Sequence, residues 1–207
     1  MTALEIDTPH GPARAHLQLA AEPRGALVLG HGAGGGVTAR DLEAATSAAR
    51  AEDVSVALVE QPYRVAGRRS PAPARQLDAA WIAVVDHLRT GALGGLPLVA
   101  GGRSSGARVA CRTAQATGAA GVLCLAFPLH PPGRPERSRL AELEEVQVPT
   151  LVVQGDRDPF GIPPAAPSRV VVRVAGDHGL RTDLEAVAAA VREWLPNVLT
   201  ARAAARG

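Results

Sequence analysis

Lysine is absent from the 207-residue chain, and all 22 basic residues are arginine. Such a bias is explained by the base composition of the source genome rather than by function. Aromatic residues are scarce too, at 2%, so the 46% hydrophobic fraction is almost wholly aliphatic. Net charge is only +2, which excludes the basic footprint of a nucleic-acid binder despite a pI near 8.9. No run approaches the ~18 apolar residues that a membrane span requires. The first twenty residues, MTALEIDTPHGPARAHLQLA, lack the apolar centre of a signal peptide. Cysteine occurs only as Cys111 and Cys124, each in an apolar or helix-like segment, which argues against a disulfide framework and for buried reduced thiols. Glycine (22) and proline (17) are scattered, so collagen-like and low-complexity readings fail as well. What remains is the expectation of a cytoplasmic single domain over residues 1–199, with a short frayed tail at 200–207. A chain of this length buries roughly 70% of its unfolded surface.

Short valine-rich runs punctuate the chain: Ala26–Gly30, Val54–Val59, Leu96–Ala100, Gly121–Phe127, Thr150–Gln154 and Arg169–Val174. They are continuously apolar, as parallel strands covered on both faces should be. Ahead of them, Ala3–Asp7 and Arg14–Ala20 alternate across His10-Gly11-Pro12, the pattern of a half-exposed antiparallel hairpin. Helical spacing fills the intervals at Ala39–Glu52, Arg75–Arg89, Ala107–Thr117 and Leu184–Leu195. In Arg75–Arg89, Leu77, Trp81, Val84, Val85 and Leu88 form one stripe. Asp41 and Glu43 open the first of these helices, where they favour its dipole. Thr182-Asp183 supplies capping residues for the last. The pattern predicts an α/β fold with a mostly parallel sheet and right-handed crossovers.

In such sheets chemistry collects beyond the carboxyl ends of the strands. The run at Leu96 is followed by GGRSSGAR, in which Gly102, Ser104 and Gly106 spell G-x-S-x-G. A strand turning sharply into a helix would lift the Ser104 hydroxyl above the sheet, and glycines on both sides keep the turn free of clashes. Ser105 lacks those flanks, but its backbone N–H opens the helix and is a natural oxyanion donor. The run at Ala26 is followed by GHGAGGG, whose glycines let an N–H, that of Ala33, face a reacting carbonyl. His31 in this loop reads as structural. Gly30, Gly32 and Gly35 also spell G-x-G-x-x-G, with Glu60 ending the next strand, which opens a dinucleotide-binding alternative. That alternative requires no further chemistry downstream, whereas a hydrolase requires an acid and a histidine. GDRDPFG follows the run at Thr150 and offers Asp156 and Asp158; Asp158 lies farther out and is preferred. His178, in AGDHGL, follows the last strand. Serine, aspartate, histidine is the chain order of the α/β-hydrolases, and it decides against the dinucleotide reading.

HGAGG, GGRSSGAR, FPLHPPGRPE, QGDRDPFG and GDHGL together resemble the small lidless α/β-hydrolases called dienelactone-hydrolase-like. A testis-expressed protein and a subunit of the non-specific-lethal chromatin complex are animal relatives of that group. The resemblance implies an α/β-hydrolase fold: a mostly parallel sheet with an N-terminal antiparallel hairpin, helices on both faces and no substantial lid. It also implies Ser104 as nucleophile, His178 as base, Asp158 as its partner, and an oxyanion hole from the Ala33 and Ser105 amides. Dienelactone hydrolases proper use a cysteine nucleophile, so their substrate does not carry over to a chain with serine.

The expected activity is therefore that of a serine hydrolase acting on small carboxylic esters or thioesters through an acyl-enzyme. It needs no cofactor or metal and has a small-molecule ester as its partner, with neither nucleic acid nor membrane involved and oligomeric state left open. Pro128–Pro149, where many α/β-hydrolases carry a lid, has room for one short helix near Ser138–Glu145. Tyr63, Arg64 and His130 are the candidate rim residues. Arg64, Arg68 and Arg69 cluster in sequence and could attract a carboxylate, but a solvated basic loop is the better reading of them. The alternative function is a non-catalytic interaction module on the same fold, as the chromatin relative suggests.

Overall fold

Alternating residues at the start of the chain become an antiparallel hairpin in the computed structural model, which describes residues 2–204. Strand β1 (Thr2–Ile6) pairs with β2 (Ala13–Gln18), with Ile6 opposite Ala13. Ala13, Ala15 and Leu17 turn inward while their neighbours stay half-buried, the period of two expected of a strand covered on one face. The turn closes where the Thr8 hydroxyl donates to the Gly11 carbonyl at 2.7 Å. The second strand stops at Gln18, short of the expected Ala20, whose amide instead donates to the Ser55 hydroxyl at 3.1 Å.

The continuous apolar runs form the parallel part of the sheet. These are β3 (Gly25–Gly30), β4 (Val54–Glu60), β5 (Leu98–Arg103), β6 (Gly121–Leu125), β7 (Thr150–Gly155) and β8 (Arg169–Val174). The eight strands lie in the order β1-β2-β4-β3-β5-β6-β7-β8, and only the pairings of β2 are antiparallel. Side chains of β3 show how the layers divide. Leu27 and Leu29 face α1 (Arg40–Ala51) and α6 (Leu184–Ala204), whereas Ala26 and Val28 face α3 (Ala74–Thr90) and α4 (Ser105–Thr113). Fully burying each such Leu or Val stabilises the fold by about 1.5–3 kcal/mol. The stripe Leu77, Trp81, Val84, Val85 and Leu88 on α3 is buried throughout. Two short helices complete the described residues, α2 (Pro62–Val65) and α5 (Leu140–Glu144). Among the described residues no helix is long and apolar enough to cross a membrane.

Element ends depart from the sequence reading in ways that matter for the site. Strand β5 continues past Ala100 because Gly101 and Gly102 still pair with Leu29 and Gly30 on one side and Leu123 and Cys124 on the other. It therefore delivers Arg103 and Ser104 straight from the sheet. Helix α4 accordingly starts at Ser105, two residues earlier than expected. Strand β6 ends at Leu125, before the expected Phe127, because Ala126 turns to φ +51°. Helix α6 runs on past Leu195 and through Pro196 to Ala204, so residues 200–204 of the expected frayed tail are helical; residues 205–207 lie outside the described part. Asp183 caps that helix, its carboxylate accepting the Ala186 N–H at 3.0 Å.

The interval between β6 and β7 holds α5 as its regular element. Arg139 pins the interval, donating from its side chain to the Pro128 carbonyl and from its amide to the Leu129 carbonyl. Glu142 of α5 accepts from Arg108 and Arg112 of α4, which fastens the helix to the flank of the sheet. Cys111 and Cys124 are buried and free, with their sulfurs 3.5 Å apart.

Candidate active site

Ser104 occupies the junction of β5 and α4 with φ +52° and ψ −108°, a conformation that non-glycine residues avoid. The surrounding backbone over-determines it: its N–H donates to the Leu125 carbonyl at 2.9 Å, and its carbonyl accepts the Arg108 N–H at 3.2 Å. So tight a turn leaves no room for side chains at the flanking glycines. A Cβ on Gly106 would come within 2.8 Å of the His31 carbonyl oxygen, and one on Gly102 within 2.8 Å of the Gly106 backbone. The G-x-S-x-G pattern thus has a backbone-packing cause here.

His178 rides on a turn after β8, closed by the Leu180 amide donating to the Asp177 carbonyl at 3.1 Å. Its Nδ1 lies 2.8 Å from Asp158 Oδ2 and its Nε2 lies 2.9 Å from the Ser104 hydroxyl oxygen. With the proton on Nδ1, where the carboxylate accepts it, Nε2 is left as the acceptor for the serine hydroxyl. The Phe160 ring lies against the imidazole with centroids 4.1 Å apart. Asp158 projects from the loop after β7, and its side chain is fully buried. Its Oδ2 also accepts Gln154 Nε2 at 2.7 Å, while Oδ1 accepts the Phe160 amide at 2.8 Å. Asp156 is exposed and engaged elsewhere, accepting the Gly176 N–H at 2.9 Å. Its role is to join the loop after β7 to the one that carries His178.

The glycine-rich loop after β3 passes beside Ser104, close enough that a Cβ on Gly32 would stand 3.5 Å from the serine Cβ. His31 anchors this loop from below. Its Nδ1–H donates to the Gly32 carbonyl at 2.9 Å, and its Nε2 accepts the Gln61 amide at 3.1 Å. Burial holds the His31 pKa below its ordinary value, against the pull of the Gly32 carbonyl, and the imidazole is neutral. Ala33 follows on the exposed side of the loop. Ser105 begins α4, so its amide belongs to the first turn, which no intrahelical carbonyl satisfies.

The expected rim residues fare differently. Tyr63 is only 3% exposed and meets His31 edge-on, so it supports the glycine-rich loop from beneath instead of standing on a rim. Arg64 is half-buried and donates to the Arg68 carbonyl at 3.3 Å. His130 turns its Nδ1 to the Pro131 carbonyl at 2.9 Å, and its ring backs Gly161 in the loop that carries Asp158.

Other residues at this centre escaped the sequence reading. Gln154 and Phe160 both touch the Asp158–His178 pair. Asp41, expected to serve the dipole of α1, is 1% exposed and points instead at Arg103, with Arg103 Nε 2.9 Å from its Oδ2. One signal was available: Asp41 falls on the same helical stripe as Ala45 and Ala49, which are buried. Burial pushes the Asp41 carboxyl above its ordinary range, and the Arg103 guanidinium pulls it partway back. A cavity of about 640 Å³ opens here, lined in part by Ala33, Arg40, Asp41, Arg103 and Arg181.

Residues 23–185 match the family described as an alpha/beta hydrolase domain. Among solved structures, a serine hydrolase without a lid from Xanthomonas campestris superposes with a TM-score of 0.78 at 22% identity, covering 95% of this chain and 94% of that one. Est1E from Butyrivibrio proteoclasticus gives a TM-score of 0.78 at 17% identity, covering 97% of this chain and 100% of its own. A dienelactone hydrolase from Anabaena variabilis gives 0.74 at 16% identity, covering 95% and 96%. No curated protein sequence matches the chain.

Proposed function

Because the chain belongs to the alpha/beta hydrolase domain family, we propose that it is a serine hydrolase of small carboxylic esters or thioesters, with Ser104, His178 and Asp158 as its catalytic residues. The observation that carries the reading is the 2.9 Å contact between the Ser104 hydroxyl and His178 Nε2, made by a serine held at φ +52°. Strained backbone persists where its surroundings insist on it, and such positions cluster at active sites.

A serine hydroxyl is weakly nucleophilic until a neighbouring base takes its proton. In the proposed reaction Ser104 Oγ bonds to the acyl carbon as its proton passes to His178 Nε2. The carbonyl electrons move onto oxygen, and the Ala33 and Ser105 amides bind that oxyanion. Losing one such donor typically costs about 3 kcal/mol of barrier. Collapse expels the alcohol or thiol, which takes the proton from Nε2. A water then attacks the acyl-serine, giving its proton to His178, and the acid leaves as Ser104 is restored. Asp158 holds the imidazole in the tautomer this needs and stabilises the transient imidazolium.

The substrate class is supported by the short interval between β6 and β7, which leaves α5 at the flank and suits small acyl groups. The description of one structural neighbour, a serine hydrolase without a lid, points the same way. A fluorophosphonate probe tests the reading: the chain is labelled and Ser104→Ala is not. Labelling that survives Ser104→Ala removes the serine from its role, and absence of both labelling and ester turnover favours the non-catalytic module.

A further inference from the structure

Arg103, which stands between Gly102 and Ser104, reaches three of the segments around that serine. Its Nη2 donates to the backbone carbonyl of His178 at 3.0 Å. Its Nε lies 2.9 Å from Asp41 Oδ2 on α1, an ion-pair contact not aligned as a hydrogen bond. Its Nη1 lies against the glycine-rich loop, 2.8 Å from where a Cβ on Gly32 would stand. The guanidinium is thus wedged among the ends of β3, β5 and β8 and the first turn of α1.

From this geometry we infer that the Asp41–Arg103 pair is a positioning device for the proposed reaction, setting the His178 turn and the glycine-rich loop in register with Ser104. The inference rests on the serine-hydrolase reading above. The imidazole needs such a device. Asp158 fixes the ring at Nδ1, but the backbone carrying it is a tight turn followed by Leu180 at φ +47°. The Arg103 bond to the His178 carbonyl holds that backbone directly, where Asp158 holds only the ring. A planar fork with donors in fixed directions can bridge several segments at once, whereas an ammonium is a single point of charge. Asp41, buried and fixed by the bond from the Leu42 amide at 2.9 Å, keeps a negative charge beside the guanidinium.

The test compares wild type, Arg103→Lys, Arg103→Gln, Asp41→Asn and the double variant Asp41→Asn/Arg103→Gln. The readouts are p-nitrophenyl acetate turnover, fluorophosphonate labelling rate, and the low-field proton resonance of the His178 Nδ1–H. Misplacement of a reacting group by about 1 Å can cost about a hundredfold. Arg103→Gln is therefore expected to lower kcat and labelling by about that factor with KM little changed, and to shift or broaden the His178 resonance. Arg103→Lys keeps the charge beside Asp41 and is expected to fold as wild type without restoring kcat. The double variant removes both charges and carries the test if Arg103→Gln does not fold; its kcat is then expected to fall about a hundredfold below wild type. Folded Arg103 variants with wild-type kcat and an unmoved His178 resonance overturn the inference, as does a loss confined to KM. Wild type that neither labels nor turns over rejects the catalytic reading instead, and the His178 resonance then judges the positioning role alone.

Discussion

Gln154 and His178 meet on one oxygen: Oδ2 of Asp158 accepts Gln154 Nε2 at 2.7 Å and His178 Nδ1 at 2.8 Å. The same Gln154 amide faces the carbonyls of Phe127 at 3.0 Å and Gly161 at 2.9 Å, so the end of β7, the chain after β6 and the Asp158 loop share one hub. Replacing it by methionine keeps the bulk and removes the donors. Gln154→Met is expected to cost about 1.5–3 kcal/mol in urea unfolding, the range for hydrogen bonds to charged groups. It should also lower kcat by releasing the carboxylate. Unchanged unfolding midpoint and turnover would show that the hub is dispensable.

Ser104 is held where glycine would be at ease. Ser104→Gly should therefore raise the melting temperature, reflecting relief of about 1 kcal/mol of backbone strain, while abolishing fluorophosphonate labelling. Calorimetry of the variant decides the matter; a lower melting temperature would mean that the turn is not strained.

Gly106→Ala is expected to do the reverse. The new methyl group would press on the His31 carbonyl and drive α4 from the end of β3. Overpacking of this kind costs about 1–3 kcal/mol. Circular dichroism during chemical unfolding measures it, and wild-type stability would contradict the close approach of the two backbones.

The neutral His31 implies a pH dependence with a definite sign. Its folded pKa lies below the unfolded value of 6.5, so the unfolded chain binds more protons in that window. Stability from this group is complete above 6.5 and is lost as pH falls through the folded pKa, when Nε2 gains a proton and can no longer accept the Gln61 amide. Asp41 has the opposite slope: burial raises its pKa above 3.8, so its contribution is complete below 3.8 and declines as pH rises through the folded value. Melting temperatures of wild type and His31→Gln across mild acid separate the two. The wild-type curve should fall more steeply; parallel curves would mean that His31 does not titrate with unfolding.

Legibility from sequence followed what is local. Valine-rich runs were visible as strands because both faces of β3, β4, β6 and β7 are covered, which makes burial continuous along the chain. Ser104, Asp158 and His178 were visible because each directly follows such a run. Glycine misled: Gly101 and Gly102 read as loop but sit in the sheet, since neighbouring strands leave no space for side chains there. The pairing of Asp41 with Arg103 was invisible, because it joins the first turn of one helix to the end of a strand far along the chain. Tyr63 looked like rim because it follows a strand end, yet α2 folds it inward against His31.

The pinned segment between β6 and β7 bears on the tempo of the proposed reaction. Where a hinged hood must swing, turnover is often governed by that motion. Here Arg139 and Glu142 lash the corresponding stretch to the flank. An ester would thus reach Ser104 without waiting for a door, and water would meet the proposed acyl-serine by the same open route.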